Sequence, residues 1–237
     1  MDPSGDRGGD DLSGGAPRGE ALSRIYRRRF PEEDRVAKAR VWRAVVEGYL
    51  QRWIRATDTV LDLGCGDGAF LNAVSCARRL GVDLNPDARK HLAPGVELFE
   101  AEITALPFLP GSSVDLVFTS NVLEHLAGKA DVERALSEAL RVLKPGGHLV
   151  AMGPNLRAVP GAYWDFWDHR IPITDRALVE ALELLGFEVA DAIPRFLPYT
   201  TRSRYPKAPW LVRLYLALPL LWPLAGGQFL VRARKPG

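Results

Sequence analysis

Cysteine is nearly missing from this chain: 237 residues contain two, Cys65 and Cys76, alongside only four histidines. Cys65 sits inside a glycine turn, and the pair matches no metal-ligand spacing. Neither a disulfide framework nor a metal centre is expected, and a reducing cytoplasm is the natural compartment. A dominant charge is missing too: the formal net charge is +2, so nucleic acid is not expected as a partner. Apolar runs long enough to span a membrane, about 20 residues, are absent. The uncharged stretch after Arg213 is broken by Pro219 and Pro223. Met1 to Glu20 is rich in Gly, Asp and Ser and lacks the apolar core of a signal peptide. Residues 1–22 are expected to form a disordered tail.

What remains is an ordinary globular composition, 47% hydrophobic and 25% charged, on a chain that can bury a substantial core. Residues 23–237 read as one domain. Val36, Val41, Trp42, Val45, Val46, Tyr49 and Leu50 recur at helical spacing and predict a helical cap within 23–56. Strands are predicted at Thr59–Leu63, Arg79–Asp83, Val96–Phe99, Val114–Thr119, His148–Met152, Glu188–Ile193 and Gln228–Ala233. Helices are predicted at Ala69–Cys76, Pro86–His91, Asp131–Leu143 and Asp175–Leu185, with Pro145-Gly146-Gly147 ending the one before the fifth strand. Such alternation gives an α/β fold, a mainly parallel sheet covered on both faces. Its ligand belongs beyond the carboxyl ends of the strands. The long connection 195–226 reads as a substrate-side insertion.

The strand Val60-Leu61-Asp62-Leu63 runs into Gly64-Cys65-Gly66-Asp67-Gly68 and then a helical pattern. Glycines at alternate positions let the backbone approach a ligand closely. Amides at the start of a following helix would favour a negative group. Gly64, Gly66 and Ala69 fit the dinucleotide pattern, a weak signal alone. Asp83, ending the second strand, is placed to accept hydrogen bonds from both hydroxyls of a ribose. Glu102 after the third strand suits an adenine amino group, with the Ile103 amide on a ring nitrogen. Asp115 begins a strand and is expected to bond only to nearby backbone. The segment Asn121-Val122-Leu123-Glu124-His125 closes the pocket after the fourth strand.

With these residues the chain resembles the class I S-adenosylmethionine-dependent methyltransferases, in particular the broad small-molecule group called type 11. The match runs from about Thr57 to Met152 and includes Leu106-Pro107-Phe108 and Leu140-Arg141-Val142-Leu143-Lys144-Pro145-Gly146-Gly147. Glu102 stands where many relatives carry Asp. The resemblance implies a Rossmann-like three-layer sandwich whose seven-stranded, mostly parallel sheet has an antiparallel last strand. It implies S-adenosylmethionine as cofactor, held by Asp62, Gly64, Cys65, Gly66, Gly68, Asp83, Leu84, Glu102, Ile103 and Asn121.

Methyl transfer needs an aligned nucleophile, a dry site and, for many acceptors, proton removal. His125, at the cofactor edge, is one candidate base; in many relatives its Glu-His pair is structural. His169, in Tyr163-Trp164-Asp165-Phe166-Trp167-Asp168-His169, is the other. Tyr26, Trp164, Trp167 and Arg202 are candidates for holding the acceptor, which is expected to be small or lipid-like. Trp164 and Trp167 could equally cover the core. From Ala192 onward there is no acidic residue, while Trp210, Trp222 and many leucines occupy 209–224. That stretch suits a membrane surface or a cap helix. O-methylation is the default expectation. A nucleotide-linked oxidoreductase and a non-catalytic, membrane-recruited cofactor-binding protein are the alternatives.

Overall fold

The computed structural model describes residues 32–199 and 208–237. The expected tail 1–22, Tyr26 and Arg202 lie outside the described residues. Helix α1 (Glu32–Gly48) leads through a 3-10 turn at Leu50–Trp53 into β1 (Thr59–Leu63). There follow β2 (Arg78–Asp83), β3 (Val96–Glu100), β4 (Val114–Ser120), α2 (Lys129–Val142) and β5 (Leu143–Pro154). The chain continues with α3 (Asp175–Leu184), β6 (Glu188–Ile193), α4 (Pro209–Ala217), the single turn α5 (Trp222–Ala225) and β7 (Gln228–Arg234).

The seven strands lie in the order β3-β2-β1-β4-β5-β7-β6. All neighbours are parallel except β7, which runs antiparallel to both β5 and β6. The fold class read from the sequence is therefore observed. Side chains alternate across the sheet, as strand geometry requires, and feed two cores. Leu61, Leu63, Val117, Leu149, Ala151 and Val231 meet α2 and α3 through Leu136, Ala139, Leu178 and Leu182. Their neighbours Val60, Leu116, Phe118, Val150, Met152 and Leu230 meet Val45, Val46, Phe70, Phe196, Leu216 and Trp222 on the other face. Strand order reverses between β1 and β4, so the ligand crevice of such a sheet opens there.

Two local expectations fail. Residues 69–76 form consecutive turns rather than a regular helix. Helical bonds do form from Asn72 N–H to Gly68 O and from Val74 N–H to Phe70 O, but the Gln51 side chain takes the N–H and the carbonyl of Ser75, at 2.9 Å each, so the turns stop there. Asn72 likewise turns outward, its side chain bonding His91 O and Ala93 N–H. Nor does Pro145-Gly146-Gly147 separate helix from strand: α2 ends at Val142 and β5 begins at once. The segment instead bulges, shifting the β4 register from Val114–Leu143 to Leu116–His148. Gly146 takes a positive φ of 77°, and its N–H reaches Lys235 O at 2.9 Å.

Candidate functional site

The glycine turn emerges from the middle of the sheet. Gly64 and Cys65 both donate to Val82 O, at 2.8 and 3.1 Å, which folds the turn against β2. Gly64 has φ 76°, and a Cβ there would come within 2.3 Å of Val122 Cγ2. Only glycine satisfies both demands. Gly66 N–H donates to Asp83 Oδ2 at 2.7 Å, and Asn85 N–H to Asp83 Oδ1 at 2.8 Å. The Asp83 carboxylate is thus aimed by the main chain on both sides.

Acids crowd this turn. Burial, then the charges of Asp83 and Asp67, push Asp62 well above the usual carboxylate range. Burial also raises Asp83, against the pull of the Asn85 and Gly66 amides. Cys65 is buried, and burial with the Asp62 and Asp83 charges drives its thiol far up, so it is a neutral filler. Asp67 pairs with Lys38 of α1 at 2.8 Å. An anion at the start of a helix, one reading of the sequence, loses its basis here: 69–76 is not a regular helix, and the surroundings are acidic.

The remaining cofactor candidates line the same edge. Leu84 is half-buried, Ile103 is buried, and Glu102 is exposed, accepting from Thr104 Oγ1 at 3.2 Å. Asn121 has φ 56° directly after β4; its N–H bonds Met152 O and its side chain donates to Ser120 Oγ. Asp115 accepts from Thr59 N–H and from Lys144. Asp115 thus bonds backbone, as expected, but not backbone alone: the Lys144 ammonium shares the same oxygen.

Beyond Asn121 the structure brings together two histidines that the sequence named separately. The His125 and His169 rings meet edge to face with centroids 4.8 Å apart. His125 Nδ1 lies 3.1 Å from Asp168 O and 3.3 Å from Asp168 Oδ2. Phe166 stacks on His169, and Tyr163 abuts it from another side. The two loops are stitched by main chain: Glu124 O accepts from Arg170 N–H at 2.8 Å and Ile171 N–H at 3.2 Å. Tyr163 Oη donates to Ile171 O and accepts from Ile173 N–H.

Glu124 is the member that sequence reasoning passed over. It is 3% exposed, and burial raises its carboxyl above the ordinary range against the lowering effect of His125. The only sequence signal was its place beside a histidine in a loop after a strand. Of the acceptor candidates, Trp164 is half-exposed and Trp167 is 98% exposed; Tyr163, not a tryptophan, fills the core. In the 195–226 segment, α4 rests on α1, with Leu216 Cδ1 close to Gly48 and Arg213 paired to Glu47. Trp210, Leu214, Leu218, Leu220 and Leu224 stay exposed. No helix among the described residues is long and apolar enough to cross a membrane.

Comparison with known proteins falls on the same ground. Residues 61–151 match the family model described as a methyltransferase domain. A "probable S-adenosylmethionine-dependent methyltransferase" of Mycolicibacterium smegmatis is 35% identical over 144 residues, covering 58% of this chain and 54% of the relative. An uncharacterized transposon protein of Streptomyces fradiae is 30% identical over 76% of this chain and 58% of its own length. The chain thus spans somewhat more than half of these relatives. The crystal structure of a methyltransferase from Archaeoglobus fulgidus superposes with a TM-score of 0.63 at 22% identity, covering 90% of this chain and 99% of that one, and shows the shared fold. Motif, topology and family match agree: residues 61–151 are a methyltransferase domain of the class I S-adenosylmethionine-dependent family.

Proposed function

We propose that the chain transfers a methyl group from S-adenosylmethionine to an oxygen of a small-molecule or lipid-linked acceptor. The observation that carries this reading is the crowding of Asp62, Asp67 and Asp83 at the glycine turn. A dinucleotide would set its pyrophosphate against like charge there, which speaks against an oxidoreductase. The sulfonium and amino groups of S-adenosylmethionine are cations and suit the same surroundings. A carboxylate has about four acceptor positions. Asp83 gives one from each oxygen to a backbone amide and keeps others for the two ribose hydroxyls. Glu102 and the Ile103 amide take the adenine edge, Leu84 and Asn121 flank it, and Gly64, Cys65, Gly66 and Gly68 form the floor.

When bound, the cofactor supplies an electrophilic methyl group: the O–CH3 bond forms as the S–CH3 bond breaks, leaving the neutral thioether S-adenosylhomocysteine. The protein's part is alignment and the acceptor's proton. His125 or His169 accepts that proton, His125 being oriented through Nδ1 by Asp168. Trp164 and Trp167 offer exposed indole faces to the acceptor, with Tyr26 and Arg202 assigned to it from sequence. Incubation with label on the donor methyl group and fractionated small-molecule and lipid extracts tests the reading. Label should appear in an acceptor, and calorimetry should register S-adenosylhomocysteine but not NAD. The converse heats would overturn it.

The exposed stripe supports a second reading, recruitment to a membrane surface. Trp210 and Leu214 lie four residues apart along α4, opposite the Val212–Leu216 face packed toward the core, and exposed Leu218 follows at the helix end. Tryptophan and leucine on one face with nearby arginines suit an interfacial helix. Sedimentation with anionic liposomes should carry the chain down, less so in high salt; failure to sediment sinks the idea.

A further inference from the structure

We propose that Glu124, His125 and His169 bind one divalent transition-metal ion, of the zinc, cobalt or manganese type, beside the cofactor cradle. Each side chain offers a ligand atom, and these atoms all lie within 4.8 Å of one another. Donors about 2.0–2.2 Å from a tetrahedral ion stand roughly 3.3 Å apart, so side-chain rotations of about 1 Å close the set. Glu124 Oε1 is buried and accepts no hydrogen bond among the described residues. A buried carboxylate oxygen in that state is costly, and a dication offsets the cost directly.

The surroundings match a metal's outer shell. Asp168 engages His125 through Nδ1 and leaves Nε2 for an ion, the arrangement that fixes tautomer and ring in metal-bound histidines. The main-chain bonds from Glu124 O to Arg170 and Ile171 hold the two loops together without an ion, so the ligands are preplaced. Two imidazoles and one carboxylate suit borderline ions; magnesium and calcium prefer oxygen ligands. Three protein ligands leave a position open, as in catalytic rather than structural sites. With the ion bound, both histidines serve as ligands, and the base role proposed for His125 or His169 passes to water. The acceptor class is then a hydroxyl compound: its oxygen takes the open position, and its proton, made more acidic by the ion's charge, leaves to water. This role rests on the methyl-transfer reading; binding of the ion does not. The loop is shared with the cradle, since Val122, two residues before Glu124, packs on Gly64.

The test is a Co²⁺ titration of the chelator-treated full chain, read by visible absorbance, with S-adenosylhomocysteine calorimetry on the same samples. Wild type should saturate at one equivalent, and Zn²⁺ should displace the signal. Glu124→Gln and His169→Ala should each lose it while still binding S-adenosylhomocysteine, and Asp168→Asn should weaken it about tenfold to a hundredfold. Zn²⁺ should raise the melting temperature of wild type but not of Glu124→Gln. A wild type without a saturable signal, or a signal surviving in Glu124→Gln, overturns the site. Should S-adenosylhomocysteine fail to bind while Co²⁺ binds, the methyl-transfer reading falls and the metal site stands.

Discussion

Two buried carboxylates stand at neighbouring places on the same sheet edge, Asp83 at the end of β2 and Glu124 in the loop after β4. Burial raises both above the usual carboxylate range. Their partners differ. Asp83 is held at each oxygen by an amide from its own or the adjoining turn. Glu124 faces side chains delivered by a loop far along the chain, His169 among them. The glycine turn is held by main chain, the Glu124–His125–His169 cluster by side chains that only the fold assembles.

Mutation can break that contrast. Asp83→Ala strands the Gly66 and Asn85 amides and, on the proposed cofactor pose, removes the ribose contacts, so S-adenosylhomocysteine affinity should fall about a hundredfold or more by calorimetry. Glu124→Gln should leave it near wild type; equal losses would make the two acids one site. Of comparable size is Gly64→Ala, where positive φ and the Val122 contact combine. A loss of about 2–4 kcal/mol is expected from the urea midpoint. Gly161→Ala, on the acceptor side with nothing within 4 Å of the added Cβ, should change stability by less than about 0.5 kcal/mol.

Acidity separates the regions more gently. The raised folded-state pKa of Asp62 means that the native chain binds a proton more tightly than the unfolded one. Stability should then fall as pH rises from the unfolded carboxylate value of 3.8 toward the raised folded value. Asp62→Asn should flatten that part of a melting-temperature profile. An unchanged slope would mean that burial and the neighbouring acids do not raise Asp62. The smallest effect is chemical: in native protein iodoacetamide should modify half-exposed Cys76 before buried Cys65, read by mass spectrometry.

The same division decided what the sequence could disclose. Strand positions were readable within a residue or two for six strands, because apolar runs end at glycine or polar turns. β5 was read as His148–Met152 and runs Leu143–Pro154, since the pairing of Gly146 and Gly147 with Lys235 is invisible locally. The expected helix at 69–76 stops short where Gln51, another distant partner, takes the backbone of Ser75. The place of Asp83 at the end of β2, beside the glycine turn, was legible because it follows from strand, turn and spacing. Glu124 was not, because neither its burial nor the approach of His169 leaves a trace in neighbouring residues.

The antiparallel β7 has a consequence for the order of assembly. It is the latest strand in the chain, yet it sits between β5 and β6 and is hydrogen-bonded to both. Until Gln228–Arg234 arrives, β6 has no partner and β5 has an open edge. Sheet closure is thus a long-range, late event, of the kind that slows folding and prolongs exposure of unpaired strands. A ribosome-bound chain lacking these seven residues would carry the complete glycine turn on an unfinished sheet, with the cradle in place before the fold is sealed.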